Sequence, residues 1–244
     1  MRACATIQRF LGLVAPAVLV GVIGGCSGPG PTSDANNPVI NPADFVAQVD
    51  NPLFPLTPGT KYVYQKTSPD ATEDIEITVI SETKTILGVT CTVVHDQVAS
   101  DGALSEDTFD WYAQHRDGTV WYFGEDTKTY EQGVVVSTEG SWEAGVDGAQ
   151  PGIIMEAQPQ VGDSYRQEYL AGVAEDQAEI VSVAESATVP YGAFADCLQT
   201  RDTTPLEPQV LEYKFYAPGV GNVLTTEGDT REELLTVTSP NGPQ

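Results

Sequence analysis

Two short segments place carboxylates beside paired aromatic residues, a combination suited to carbohydrate chemistry. Glu106, Asp107 and Asp110 precede Trp111-Tyr112, and Glu125-Asp126 follow Trp121-Tyr122-Phe123. Aromatic faces stack on sugar rings, and two carboxyl groups roughly 5 to 9 Å apart suit glycoside hydrolysis. The same letters arise where aromatics fill a core and acids face water. Since no arrangement in the sequence demands chemistry, the favoured expectation is a non-catalytic ligand-binding or interaction module. In it Trp111, Tyr112, Trp121, Tyr122 and Trp142 contact an apolar, glycan or protein ligand. A carboxylate-dependent, glycosidase-like hydrolase is the alternative.

A third candidate is the Gly-rich stretch Gly140–Met155, which carries Trp142, Glu143 and Asp147. Long loops in compact domains often bind ligands. Glu143, Asp147 and turn carbonyls offer calcium the hard oxygen ligands it takes, although the EF-hand spacing is absent. A calcium-binding surface protein is therefore a further alternative, and an ordinary solvated connection reads the same way. No other cofactor is indicated. His95 and His115 are too few for a usual zinc site, and G-x-S-x-G, H-E-x-x-H and C-x-x-C are absent. His115-Arg116-Asp117-Gly118 resembles a kinase segment only in its letters, because the phosphate-binding glycine loop is missing; it reads as a hairpin turn. Scarce Arg166 is expected in a structural ion pair.

The N-terminus says where such a domain would sit. Arg2 and Arg9 precede an apolar run, Leu11 to Gly25, which ends in Ile23-Gly24-Gly25-Cys26, and no acid occurs before Asp34. The run has the length of a signal-peptide core and falls short of the roughly 20 apolar residues of a membrane span. The segment resembles a bacterial lipoprotein signal. That resemblance implies removal of residues 1–25 and fatty acylation, as by palmitate, of Cys26. Two or three acyl chains, at about 0.8 kcal/mol per buried methylene, anchor a protein where one chain does not. Residues 26–40, rich in Gly, Pro, Ser and Asn, then form a flexible tether. Ser27 supplies no acidic retention signal, so an outer-membrane, cell-surface or periplasm-facing location is open.

Charge bears on partners. The chain has 11 basic and 35 acidic residues, a formal charge of −24, and losing Arg2 and Arg9 with the signal makes the remainder more negative. This argues against nucleic acid and against electrostatic adhesion to anionic lipid. Acylated Cys26 is left as the contact with the bilayer. Removing Cys4 with the signal and committing Cys26 to lipid leaves Cys91 and Cys197. An even pair outside the cytoplasm suggests a disulfide, and two buried thiols acting as small hydrophobes are the alternative.

Residues 41–244 read as one all-β, mainly antiparallel domain, a curved meander or barrel with at most one or two short helices. β-branched and aromatic runs predict strands over 61–65, 74–83, 89–98, 108–114, 119–123, 134–137, 164–170, 177–185, 194–200, 210–216, 222–227 and 232–237. Asn41-Pro42 is positioned to open a short helix, and 147–157 invites another.

Three segments, Thr57-Pro58-Gly59-Thr60-Lys61-Tyr62-Val63-Tyr64, Val189-Pro190-Tyr191-Gly192-Ala193-Phe194 with Cys197-Leu198, and Glu212-Tyr213-Lys214-Phe215-Tyr216-Ala217-Pro218-Gly219-Val220-Gly221-Asn222-Val223, carry a resemblance. They are similar to secreted bacterial β-meander proteins of uncharacterised function. The resemblance implies an antiparallel sheet and no reaction. Gly192, Gly219 and Gly221 are expected to reach turn dihedrals closed to other residues.

Overall fold

The computed structural model describes residues 38–240. The signal segment 1–25, Cys26 and the tether as far as residue 37 lie outside the described residues. Asn41 caps a single-turn 3-10 helix, Pro42–Asp44, its side chain accepting from the Ala43 amide, with Pro42 at the first position as the sequence suggests. The second helix expected over 147–157 is instead a strand. Among the described residues no helix is long and apolar enough to cross a membrane.

Every other element is a strand. The first half holds β1 (Phe45–Val46), β2 (Lys61–Thr67), β3 (Thr72–Ile86), β4 (Val89–Ser100), β5 (Ala103–His115), β6 (Val120–Glu131), β7 (Val134–Ser137), β8 (Trp142–Glu143) and β9 (Gln150–Met155). The second holds β10 (Ser164–Arg166), β11 (Glu168–Tyr169), β12 (Gln177–Val189), β13 (Gly192–Thr203), β14 (Glu212–Ala217), β15 (Gly221–Glu227) and β16 (Thr230–Thr238). They form one antiparallel, nearly closed barrel-like sheet in the order β10-β12-β13-β14-β15-β16-β2-β3-β4-β5-β6-β9-β11. β1, β7 and β8 attach to its side.

Most neighbours in the sheet are neighbours in sequence, joined by short turns as hairpin geometry favours. The exceptions close the structure. β16 returns to pair with β2, Leu234 opposite Tyr64. The two ends of the sheet, β10 and β11, are separated in sequence by Gln167 alone, whose amide donates to the Asp176 carbonyl at 2.8 Å. At this seam β9 presses on the same backbone. A side chain at Gly152 would meet the Gln167 carbonyl oxygen at 2.3 Å, so only glycine fits.

Strand alternation divides the apolar residues between two cores. The inner core includes Val79, Val94, Val120, Met155, Ile180, Leu198, Val223 and Leu234, and Val49 and Leu56 join it from the segment that precedes β2. The second core includes Ile86, Val89, Cys91, Val93, Trp111, Ala113 and Phe123, covered by Trp142, Ala144 and Ala149 with Ile40 and Phe45. The 140–155 stretch is therefore a packed lid made of β8, a turn and β9. Gly124 permits its approach, since a Cβ there would lie 2.2 Å from the Trp142 carbonyl oxygen.

Candidate functional site

The three segments that carry the resemblance, far apart in sequence, line one cleft. Thr57, Thr60 and Tyr62 come from the turn into β2, Tyr191 and Phe194 from the β12–β13 hairpin, and Gly219 and Val220 from the β14–β15 turn. Pro55, Val237 and Ser239 complete a cavity of ≈ 140 Å³. An apolar cavity of about 150 Å³ is large enough for benzene, so this one suits a single ring or a branched aliphatic group.

Backbone contacts build the cleft. The Gly59 amide donates to the Val79 carbonyl at 2.7 Å and the Val79 amide to the Thr60 carbonyl at 2.9 Å, holding the first turn against β3. Gly219 and Gly221 have φ of 80° and 99°, as the expected tight reversal requires, and the Gly219 amide donates to Pro52 at 2.7 Å. Gly192 departs from expectation: its φ is not positive, because the neighbouring strands run directly into a Pro190–Tyr191 turn. The Tyr191 amide donates to the Leu234 carbonyl at 3.1 Å, and its ring stacks on Phe194 at 6.3 Å. Tyr62 donates its hydroxyl to the Pro55 carbonyl at 3.2 Å. Burial, then the neighbouring Tyr191, pushes that phenol up to about 12, which keeps it a donor.

The carboxylates noted in the sequence lie elsewhere. Glu106, Asp110 and Glu125 project from the face that carries the inner core, with Asp96 beside them: Asp96 is opposite Thr108, and Asp110 is opposite both Val94 and Glu125. Asp107 and Asp126 take the other face, where Asp107 meets His95 at 2.7 Å and Asp126 meets Lys128 at 2.9 Å. The simple alternative of apolar inside and acid outside fails for Asp110, which is buried, whereas Glu106 is exposed and Glu125 half-buried.

Asp110 and Glu125 share one hydroxyl. Tyr122 Oη lies 2.6 Å from Asp110 Oδ1 and 2.9 Å from Glu125 Oε2. A phenol has one proton to donate, so one carboxyl must bring its own. Asp110 is the one, since burial outweighs the Tyr122 hydrogen bond and raises its pKa to about 8. The pair has the proximity expected of a hydrolase, but Asp110 and Tyr122 are only 9% and 6% exposed. Glu125 is half-buried beside them.

The expected aromatic contacts also pack inward. Trp111 and Trp142 are buried, with the Lys84 ammonium 3.3 Å from the Trp111 ring centroid. The Trp142 indole donates to Glu168 at 3.0 Å and meets Tyr122 edge-on at 5.2 Å. Tyr122 stacks on Tyr112 at 4.7 Å, and Trp121 packs against the second core. None of the five lines the cleft.

Glu143 is engaged by Lys84 at 2.6 Å, and Asp147 stands in an exposed turn with φ of 51°. Among the described residues no three His, Cys, Asp or Glu side chains are grouped to hold a metal ion. His115-Arg116-Asp117-Gly118 is the β5–β6 turn, with the Gly118 amide donating to the His115 carbonyl at 2.9 Å. Arg116 pairs with Asp44. Arg166 donates to Gln150 at 3.1 Å and lies over the Tyr169 ring at 4.1 Å. The disulfide expectation is corrected. Cys91 and Cys197 are free, buried thiols, one in the second core and the other in the inner core.

Sequence reading located the cleft's segments without joining them, because their meeting depends on β16 pairing with β2 and on the packing of the 49–56 segment. Two solved structures resemble the chain. One, provisionally described as an exported protein with a YmcC-like fold, comes from Bacteroides fragilis; it is 16% identical over 76% of this chain and 98% of that one, with a TM-score of 0.45. The other, provisionally described as a lipoprotein, comes from Parabacteroides distasonis; it is 14% identical over 76% of this chain and 98% of that one, with a TM-score of 0.43. No family model and no curated relative matches the chain. The all-β assignment rests on the strand pairing itself.

Proposed function

We propose that the protein is a lipid-anchored, extracytoplasmic lipoprotein of a bacterial envelope whose barrel binds a small apolar or amphipathic group without transforming it. The anchor is Cys26, and the seat is the cleft of Tyr62, Tyr191, Phe194, Val220 and Val237. The observation that carries the binding reading is the convergence of three distant turn segments on one aromatic-walled cavity. Its lining has hydroxyls and apolar groups but no carboxylate, imidazole or thiol, which favours holding a ligand over acid–base or nucleophilic catalysis. The buried Trp111 and Trp142 support the second core instead.

Indole is a suitable ring-sized probe. Saturation-transfer NMR on the protein should show indole contact that is lost in Val237→Trp, which fills the cleft from its wall, and weakened at least fivefold in Tyr191→Ala. Unchanged transfer in Val237→Trp, with the fold intact by circular dichroism, would remove the cleft from the proposal.

A further inference from the structure

β7 is bounded on one side only. It pairs with β6, Val135 opposite Tyr130 and Val134 opposite Glu131, and among the described residues with no other strand. The strands that continue its column are better covered, since β9 carries β11 along its far side. Three consecutive valines of β7 are bare, Val134 64%, Val135 44% and Val136 52% exposed. Val134 and Val135 precede the register shift that leaves Val136 unpaired and point to opposite faces, so the strand offers apolar surface on both faces as well as along its edge. An exposed apolar edge of this kind is a template for another strand.

The backbone geometry is already set. β6 and β7 are joined by Gln132-Gly133, with φ of 52° and 77°, the left-handed pair of a two-residue hairpin. In such a hairpin the residues flanking the turn exchange the inner hydrogen bonds, and the next residue directs its N–H and C=O outward. That residue is Val135. Charge narrows the partner: Glu131 and Glu139 are exposed on either side of β7, and the nearby Lys128 is engaged by Asp126 at 2.9 Å. A second copy of a chain with formal charge −24 would bring like charge to the same edge.

We propose that β7 is a docking edge for an extended, basic and β-branched segment of a partner protein, which adds to the sheet as a strand beyond β7. Main-chain hydrogen bonds to Val135 supply the attachment, the valines its apolar contacts, and Glu131 and Glu139 its preference for basic flanks.

The test uses a fluorescein-labelled nine-residue peptide of alternating valine and threonine with two lysines at each end, titrated against the protein by anisotropy. Binding should weaken at least tenfold in Val135→Pro, which removes the outward donor and leaves the β6 hydrogen bonds intact. It should weaken comparably in Val136→Lys, which repels the basic flanks and alters no backbone, so the result survives if the proline variant fails to fold. Replacing the peptide's lysines by glutamates should abolish binding. Retained binding in Val136→Lys and in a folded Val135→Pro would overturn the proposal. Equal affinity for the acidic peptide would overturn the basic preference, and concentration-dependent dimerisation lost in Val135→Pro would assign the edge to a second copy instead.

Discussion

Replacing Asp96 by asparagine should stabilise the protein at alkaline pH and leave it nearly unchanged in acid. Asp96 sits on β4 between Ile77 of β3 and Thr108 of β5, and its Oδ1 is buried without a hydrogen-bond partner. Burial first, then the charges of Glu232, Glu106 and Glu125, raise its pKa from 3.8 to about 8. A carboxyl whose folded pKa is raised binds its proton in the native state while the unfolded chain gives it up. The favourable contribution is complete below pH 3.8, declines as pH rises, and is fully lost above about pH 8. One pKa unit corresponds to about 1.4 kcal/mol, so this interval sets a ceiling near 6 kcal/mol. The high effective dielectric of real interiors brings the working figure to about 2 kcal/mol. Asparagine keeps the shape of the neutral acid and cannot ionise. Urea unfolding at pH 5, 7 and 9 should show Asp96→Asn within about 1 kcal/mol of the parent at pH 5 and about 2 kcal/mol or more above it at pH 9. Asp110 and Glu232, also raised mainly by burial, keep the parent's own slope downward with pH, and the difference reports Asp96 together with its charge coupling to Asp110 and Glu232. Parallel curves, or a variant less stable than the parent at pH 9, would refute a buried neutral carboxyl at this position.

Gly152→Ala should cost about 3 kcal/mol or more in chemical denaturation, because its Cβ would enter the Gln167 backbone at the seam; a loss under about 1 kcal/mol would mean that β9 can retreat from β11. Non-reduced protein should carry two thiols at Cys91 and Cys197. They should react with a thiol reagent only after unfolding, since burial pushes the Cys91 thiol up to about 12; fast reaction in the native protein would contradict their packing. Cys26→Ser should move the protein out of the membrane fraction or leave the precursor uncut, and unaltered fractionation would end the lipoprotein reading.

Strands were legible because their signal is local. β2, β3, β4 and β12 to β16 run close to the stretches predicted from β-branched and aromatic runs, and the His115–Gly118 turn joins β5 to β6 as its residues suggest. The face each acid occupies was not legible. Glu106 to Asp110 run in unbroken register with β6, so period-two counting puts Asp107 and Asp110 on opposite faces. It does not say which face turns inward, and that is decided by the pairing that sets Asp110 beside Val94 and Tyr122 and Asp107 beside His95. The Gly140–Met155 stretch looked like a loop because β8 has two residues, and its packing depends on Gly124 from another strand. The separation of Cys91 from Cys197 followed from the existence of two cores, which residue spacing does not encode.

The pairing of β16 with β2 also imposes an order of assembly. Each hairpin from β2 to β6 can form as soon as its own residues are available, but the open side of β2 waits for the last strand of the chain to be made. Until then the nascent half-barrel exposes Tyr62 and Tyr64, which the finished protein buries. Contacts this distant in sequence slow folding, and the interval leaves an unpaired edge open to aggregation. The segment before β2 precedes those tyrosines in synthesis and packs Val49 and Leu56 into the same core as them.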